Sequence, residues 1–151
     1  MAIKAFKFKP KHLEGFEPQE MQEQEWWHFQ KLREDNPGLD EYLGDTYAVT
    51  LQENDRTNVI YGWIPAKEGG ANGWLFLSKF VGAREMIRTT IQMNKDFDMW
   101  SMLYDWVQTP IRDDYPEAAR WIKLLGFYKT DDKFSIKDIE YTYWKRGLDG
   151  I

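Results

Sequence analysis

The stretch "PEAARWIKLLGFYKTDD", residues 116–132, predicts a short helix that ends at a glycine and leads directly into a strand. Pro116 suits the first turn of a helix, where its missing N–H costs no hydrogen bond. Gly126 suits the position after the last turn, where a positive φ costs glycine little. Phe127 then re-enters the core as the next strand begins. Side chains at intervals of three and four residues form one apolar face that can pack on a sheet, and they are Ala118, Trp121, Ile122 and Leu125.

The rest of the chain predicts the sheet on which this helix packs. Helical spacing occurs between Pro10 and Leu39, and a further helix begins near Arg84. The glycine-rich segment 69–73 is predicted to be a hairpin turn. Predicted strands lie at residues 3–9, 46–51, 59–64, 74–80, 102–109 and 139–147. A meander followed by strand, helix and strand indicates an α+β (α/β) fold. We expect one domain over residues 1–151, with a mixed, mostly antiparallel twisted sheet and helices on both faces.

Composition narrows the classes of function. The sequence contains no cysteine, which excludes disulfides, thiolate catalysis and thiolate metal sites. The N-terminal "MAIKAFKFKPK" has no apolar core of a signal peptide, and no apolar run approaches the ~20 residues that span a membrane. A net charge of −5 disfavours nucleic acid as a generic partner. Aromatic residues make up 17% of the chain, with eight tryptophans, which favours a protein partner or an aromatic-rich core.

The order of elements and the Leu-Gly-Phe ending resemble the GNAT family of N-acyltransferases. Two segments resemble more closely a phage-encoded GNAT-like subfamily found among virion and internal-core genes. They are "GWLFLSKFVGAREMIRTTIQM", residues 73–93, and "MLYDWVQTPIRDDYPEAARWIKLLGF", residues 102–127. The resemblance implies that the strands predicted at 74–80 and 102–109 run parallel and part at one end to form a cofactor cleft.

The resemblance also implies a site for the pyrophosphate of acetyl-CoA. The family motif Gln/Arg-x-x-Gly-x-Gly/Ala aligns with residues 79–84, so the candidate contacts are Lys79, Gly82 and Arg84. Gly82 matches the motif, Lys79 supplies a charge in place of the usual residue, and Arg84 stands where the family has a small residue. A helix N-terminus binds anions because its first N–H groups are free. We expect Arg84 and Phe80 to narrow the cleft and make it unsuited to pantetheine.

The catalytic positions of the family carry different residues here. The cofactor-binding Asn and the thiolate-protonating Tyr correspond to Tyr115 and Ile122, and an isoleucine cannot donate a proton. The sequence therefore predicts no catalytic residue and no metal site, and it predicts a fold reused without acyl transfer and without a cofactor. One alternative is an acetyl-CoA-dependent N-acyltransferase with water or Tyr115 as the acid. Another is an acidic host-takeover or anti-defence protein.

The leading expectation from the sequence is a non-enzymatic, virion-associated phage protein that acts through protein contacts. Its expected partners are other virion proteins of the portal, tail or internal core. Its expected locations are the virion and, during assembly, the host cytoplasm. The docking surface is predicted at the C-terminal strand, through Tyr141, Tyr143 and Trp144 with a polar rim of Lys145 and Arg146. The alternative there is that Trp144 covers the end of the sheet.

Overall fold

The computed structural model describes residues 3–45, 48–100 and 102–147. The described residues form seven strands and four α-helices. In chain order they are β1 Lys4–Lys7, α1 Glu23–Asp35, α2 Leu39–Asp45, β2 Val49–Glu53, β3 Arg56–Pro65, β4 Gly70–Leu77, α3 Ala83–Trp100, β5 Trp106–Arg112, α4 Pro116–Leu124, β6 Tyr128–Ile136 and β7 Ile139–Gly147. Short 3-10 turns lie at Pro10–Leu13, Glu20–Gln22 and Lys67–Gly69.

The strands pair in the order β1-β2-β3-β4-β5-β7-β6. Strands β4 and β5 pair in parallel, whereas β1 with β2, β2 with β3, β5 with β7 and β6 with β7 are antiparallel. The predicted fold class, α+β with a mixed and mostly antiparallel sheet, is confirmed.

Contacts group the described residues into two compact units. The first unit contains residues 3–63 and Leu75–Thr89, and the second contains Ile64–Trp74 and residues 90–147. The single domain expected from the sequence therefore stays a prediction.

The first unit is built on the antiparallel strands β1, β2 and β3. The β2–β3 hairpin turns at Asn54 and Asp55, whose φ angles are 55° and 62°, because short polar side chains tolerate this region of backbone space. The Gln22 amide donates to the Leu75 carbonyl and accepts from the Leu77 N–H, both at 2.8 Å, which joins the segment before α1 to β4. The buried apolar side chains of this unit are Phe8, Leu43, Ala48, Leu51, Val59, Ile60, Tyr61, Trp63, Phe76 and Leu77.

The second unit contains the predicted helix with its glycine stop. The Gly126 N–H donates to the Lys123 carbonyl at 3.1 Å, and the Phe127 N–H donates to the Ile122 carbonyl at 3.3 Å. Gly126 has a φ of 86°. These two bonds and the positive φ form a Schellman motif, in which glycine avoids the steric cost of a Cβ. The prediction for this stretch is confirmed.

The predicted apolar face of α4 also lies where the spacing places it. Ile122 and Leu125 are buried, and the Trp121 indole N–H donates to the Thr90 hydroxyl of α3 at 2.8 Å. Leu124 lies outside this face and is 71% exposed. The core of the second unit is Ala71, Met93, Phe97, Val107, Ile122, Leu125, Phe127 and Tyr141.

Several predicted boundaries were wrong. The segment 69–73 is not a hairpin turn, because Gly70–Asn72 pairs with β5 and the chain reverses instead at Lys67–Gly69. Strand β4 ends three residues before the predicted strand did, and β5 begins at Trp106 rather than at residue 102. Helix α2 was not predicted. Of the strand predicted at 46–51, Thr46 and Tyr47 lie outside the described residues.

Candidate functional site

The turn between β4 and α3 is held by Ser78, which is buried. The Ser78 N–H continues the strand pairing by donating to the Asn58 carbonyl at 2.9 Å. The Phe80 N–H then donates to the Ser78 hydroxyl at 3.1 Å, and the Val81 N–H donates to the Ser78 carbonyl at 3.3 Å. These bonds end the strand and allow α3 to begin at Ala83.

The N-terminus of α3 has the geometry of an anion site. The Met86 N–H donates to the Gly82 carbonyl at 2.9 Å and closes the first turn. The N–H groups of Ala83, Arg84 and Glu85 precede this bond and have no carbonyl partner in the helix. Helix α3 has 18 residues, and its aligned peptide dipoles place a partial positive charge at this end. This end of α3 therefore offers free backbone N–H groups to an anion.

Lys79, a predicted phosphate contact, has a carboxylate partner. Its Nζ lies 3.1 Å from Oε1 of Glu17, and its N–H donates to the Glu17 carbonyl at 2.9 Å. The two side chains are 47% and 55% exposed, so the pair is solvent-screened and weak. An anion that binds Lys79 competes with Glu17.

The Glu85 side chain turns back towards Gly82. A Cβ built on Gly82 would lie 2.8 Å from Oε2 of Glu85. A glutamate three residues into a helix commonly reaches back in this way. The Glu85 carboxylate and a pyrophosphate are both attracted to the positive end of α3, and they repel each other.

Arg84 is exposed. Within the described part of the chain it forms no ion pair, so its guanidinium is available to an anion. Backbone N–H groups and a free guanidinium are the donors that phosphate prefers. The residues of this turn therefore fit the pyrophosphate of a coenzyme, with Glu85 as the opposing charge.

Phe80 lies on the surface beside this turn. Its ring is 49% exposed and lies 5.4 Å from the Arg56 guanidinium and 5.2 Å from the Lys79 ammonium, measured to the ring centroid. The expectation that Phe80 and Arg84 narrow a cleft stays a prediction.

The β4–β5 pairing has the predicted parallel direction. It comprises the three pairs Gly70–Trp106, Ala71–Val107 and Asn72–Gln108. Strand β5 continues to Arg112 and pairs with β7 along its whole length. The parallel pairing of β4 with β5 stops after three pairs, although both strands continue beyond it. This agrees with the expectation that the two strands part at one end.

Tyr115 occupies the N-cap position of α4 and is half-buried. Burial raises the pKa of the Tyr115 phenol above its ordinary value of 10.0, and the nearby Glu117 charge raises it further. The phenol therefore stays protonated at neutral pH. Ile122, at the family's acid position, is 5% exposed and belongs to the core.

The residues of the predicted docking surface differ in exposure. Tyr141 is 6% exposed, and its ring stacks on Phe134 with the ring centroids 5.0 Å apart, so it cannot present a contact surface. Tyr143 and Trp144 are half-exposed. The strand that carries them, β7, is paired on both sides, by β5 and β6. An interface through Tyr143 and Trp144 stays a prediction.

The described ranges contain neither a candidate metal cluster nor a candidate membrane-spanning helix. No group of three or more His, Cys, Asp or Glu side chains in residues 3–45, 48–100 and 102–147 could hold a metal ion. No helix in the same ranges combines the length and apolarity needed to cross a bilayer.

The fold is that of the GNAT N-acetyltransferases, as comparison with solved structures shows. Ard1 from Thermoplasma volcanium matches with a TM-score of 0.71 at 16% identity, over 98% of this chain and 99% of that one. A spermidine N-acetyltransferase chimera from Vibrio cholerae and hSSAT matches with a TM-score of 0.69 at 13% identity, over 97% of this chain and 95% of that one. A Bacillus subtilis acetyltransferase in complex with CoA matches with a TM-score of 0.60 at 10% identity, over 97% of this chain and 98% of that one. No protein-family profile and no curated protein sequence matches the chain.

The predicted non-enzymatic virion role is wrong in the light of these matches. The three structures span nearly the whole chain, and two of them are acetyltransferases by name. The alternative prediction of an N-acyltransferase is the better supported. The error came from weighing side chains at motif positions, although an anion at a helix N-terminus is bound mainly by backbone N–H groups.

Three residues near the site were not identified from the sequence, namely Glu17, Arg56 and Glu85. Glu85 had a usable signal, because it lies three residues after Gly82 at the start of a predicted helix. Glu17 and Arg56 are brought to the turn by tertiary structure, and the sequence has no local signal for either.

Proposed function

We propose that this chain is an acyl-CoA-dependent N-acyltransferase. The observation that carries the proposal is the open N-terminus of α3, which follows Gly82 and the end of β4. Further support comes from acetyltransferases of the same fold, one of which is in complex with CoA.

The roles follow from the donors at the β4–α3 turn. The N–H groups of Ala83, Arg84 and Glu85 bind the pyrophosphate oxygens, and the Arg84 guanidinium adds a charge-assisted contact. Gly82 lets the phosphate approach the backbone closely. Lys79 has a lesser role because Glu17 already holds its ammonium.

The chemistry is the transfer of an acyl group from a thioester to an amine. The nitrogen of an uncharged acceptor amine attacks the thioester carbonyl carbon, the C–N bond forms, and the C–S bond breaks. The amine proton leaves to water, and the released sulfur takes a proton. Tyr115 is the proposed source of that proton, because it stands at a position that contacts the cofactor in the family that the sequence resembles and a phenol can donate a proton.

The finer family prediction remains a proposal. A phage-encoded subfamily, with virion partners and a virion or host-cytoplasm location, rests on the sequence of residues 73–93 and 102–127. An acyltransferase activity is compatible with either a phage or a cellular origin.

Calorimetry with acetyl-CoA tests the proposal. We expect binding in the micromolar range and a loss of about tenfold for Arg84→Gln, because one charge-assisted phosphate contact is removed. Arg120→Gln, which removes an equally charged and 72% exposed side chain from α4, should bind as the unmodified protein does. An absence of binding at millimolar acetyl-CoA, with the protein folded, would contradict the proposal.

A kinetic variant tests the proposed acid. Tyr115→Phe should lower kcat for acetyl transfer about 100-fold while leaving the Kd for acetyl-CoA unchanged, because general acid catalysis acts in the transition state. Tyr128→Phe, a half-exposed tyrosine on β6, is the matched control. Full activity of Tyr115→Phe would assign the proton to water instead.

A further inference from the structure

Strand β1 leaves one hydrogen-bonding edge of the sheet open. It is the first strand in the sheet order and pairs with β2 alone. The Phe8 N–H donates to the Ala48 carbonyl at 3.0 Å, and the direction of the backbone polar groups alternates along a strand. The even-numbered residues of β1 therefore face β2, whereas the N–H and C=O groups of Ala5 and Lys7 point away from the sheet. No strand in the described part of the chain pairs with these groups.

A cluster of positive charge surrounds this edge. The cluster consists of four exposed lysines within eight residues, namely Lys4, Lys7, Lys9 and Lys11. The ion pairs found among residues 3–45, 48–100 and 102–147 include none of the four. The whole chain has a net charge of −5, so the sign of the charge at this edge is opposite to that of the protein.

Protection of the edge accounts for only part of this cluster. Lysines on an edge strand discourage pairing with another chain, and Lys4 and Lys7 can serve that purpose. Lys9 and Lys11 come after the strand, and the Lys9 N–H is already donated to Nδ1 of His12 at 3.1 Å. Four like charges this close in sequence repel one another, and an anionic partner relieves that repulsion.

Phe6 adds an apolar contact at the same edge. The residue is 40% exposed, and its ring centroid lies 5.7 Å from that of His12. Because side chains alternate between the two faces of a strand, Phe6 and Lys4 share one face of β1. A strand added beside β1 would place its own side chains next to these two. The edge therefore suits an extended segment that carries both carboxylates and apolar side chains.

We propose that β1 is a docking edge for an extended, acidic segment of a partner protein, which adds to the sheet as a further antiparallel or parallel strand. The partner's backbone bonds to Ala5 and Lys7, and its carboxylates contact the lysines. Two copies of this chain joined through β1 would bring the lysines of both together, so the charge disfavours that arrangement. The proposal does not depend on the acyltransferase function.

Fluorescence anisotropy with a labelled peptide of alternating glutamate and valine tests the charge requirement. A peptide of alternating lysine and valine, with the same length, should bind far more weakly. Lys4→Gln/Lys7→Gln should weaken the glutamate–valine peptide about fivefold, because two exposed charge contacts are lost. Lys95→Gln/Lys123→Gln, which removes two exposed lysines from α3 and α4, should leave its affinity unchanged.

A backbone variant tests the strand addition. Ala5→Pro removes an N–H that points away from the sheet and leaves the bonds between β1 and β2 intact. It should weaken the glutamate–valine peptide about tenfold, since one backbone bond is lost and the ring obstructs the incoming strand. Ala5→Val keeps the N–H and should bind as the unmodified protein does. Hydrogen exchange should show that the peptide protects the Ala5 and Lys7 amides.

Three outcomes would overturn the proposal. Full binding by a folded Ala5→Pro would show that the peptide is held by charge alone. Tighter binding of a single-stranded oligonucleotide, with the same dependence on Lys4 and Lys7, would make the cluster a nucleic-acid site. A dimer that Ala5→Pro abolishes, without peptide binding, would make a second copy of the chain the occupant. Each outcome leaves the acyltransferase proposal standing, because β1 supplies no residue to the β4–α3 turn.

Discussion

Glu85 places a negative charge at the end of α3 where an anionic coenzyme would bind. We expect Glu85→Gln to tighten acetyl-CoA binding about two- to fivefold, since a charge near a helix N-terminus is worth about 0.3–1 kcal/mol. The same substitution should lower the free energy of unfolding of the ligand-free protein by a similar amount, because a favourable charge–dipole interaction is lost. Calorimetry and urea unfolding measure the two effects.

Glu117→Gln is the matched control, because Glu117 lies in the first turn of α4 and is 66% exposed. Its loss should leave acetyl-CoA affinity unchanged. Weaker or unaltered binding in Glu85→Gln would mean that this carboxylate does not oppose the coenzyme.

At the same scale, the resemblance to the GNAT motif identified Lys79, Gly82 and Arg84 as candidates for one turn. The sequence did not show whether the charged side chains of Lys79 and Arg84 are free to bind an anion. Lys79 is engaged by Glu17, 62 residues away in sequence, whereas Arg84 forms no ion pair within the described ranges. Pairings over such separations depend on the packed fold, so the sequence cannot rank the two cations.

Among the elements, the C-terminal end of helix α4 depends on the positive φ of one residue, Gly126. We expect Gly126→Ala to lower the free energy of unfolding by about 1–2 kcal/mol, because a residue with a Cβ is strained at a φ of 86°. The new Cβ would also lie 3.0 Å from the Arg146 Nε. Urea denaturation measures the change.

Gly38→Ala is the control for this substitution, because a Cβ at Gly38 would meet nothing within 4 Å. It should change the free energy of unfolding by no more than about 0.5 kcal/mol. Equal stability of the two variants would show that the left-handed cap is not strained by a side chain.

Strand β4 shows why one element was predicted wrongly. The glycines of segment 69–73 favoured a turn, but Gly70 lies in the strand and under the Trp106 ring. A Cβ on Gly70 would lie 2.0 Å from the Trp106 Cε2, so this position requires glycine for close packing. The sequence shows that Gly70 is a glycine, but it does not show whether that glycine forms a turn or allows close packing. Only the position of Trp106 on the neighbouring strand shows that it allows close packing.

For the molecule as a whole, the buried His12 predicts a pH dependence of stability. Its Nδ1 accepts the Lys9 N–H at 3.1 Å and lies 2.9 Å from the Thr50 hydroxyl. Burial, followed by the charges of Lys11 and Lys9, lowers the pKa of His12 from 6.5. Below about pH 6.5 the unfolded chain binds a proton that the folded protein resists, so the free energy of unfolding falls as pH decreases.

Urea unfolding at pH 7.5 and 5.5 measures this effect. The loss of stability between the two pH values should be smaller in His12→Asn than in the unmodified protein. His28→Gln, which changes an exposed histidine of α1, should retain the full loss. An identical loss in all three proteins would assign the pH dependence to other groups.

The sequence by itself determined the α+β class and the helix of residues 116–124 with its glycine stop. These features follow from local periodicity and backbone preferences, which neighbouring residues decide. The tertiary structure decided that Tyr141 is buried, that Glu17 holds Lys79, and that Arg56 lies over Phe80. These contacts join segments that are far apart in the chain, and their geometry exists only once the strands have paired.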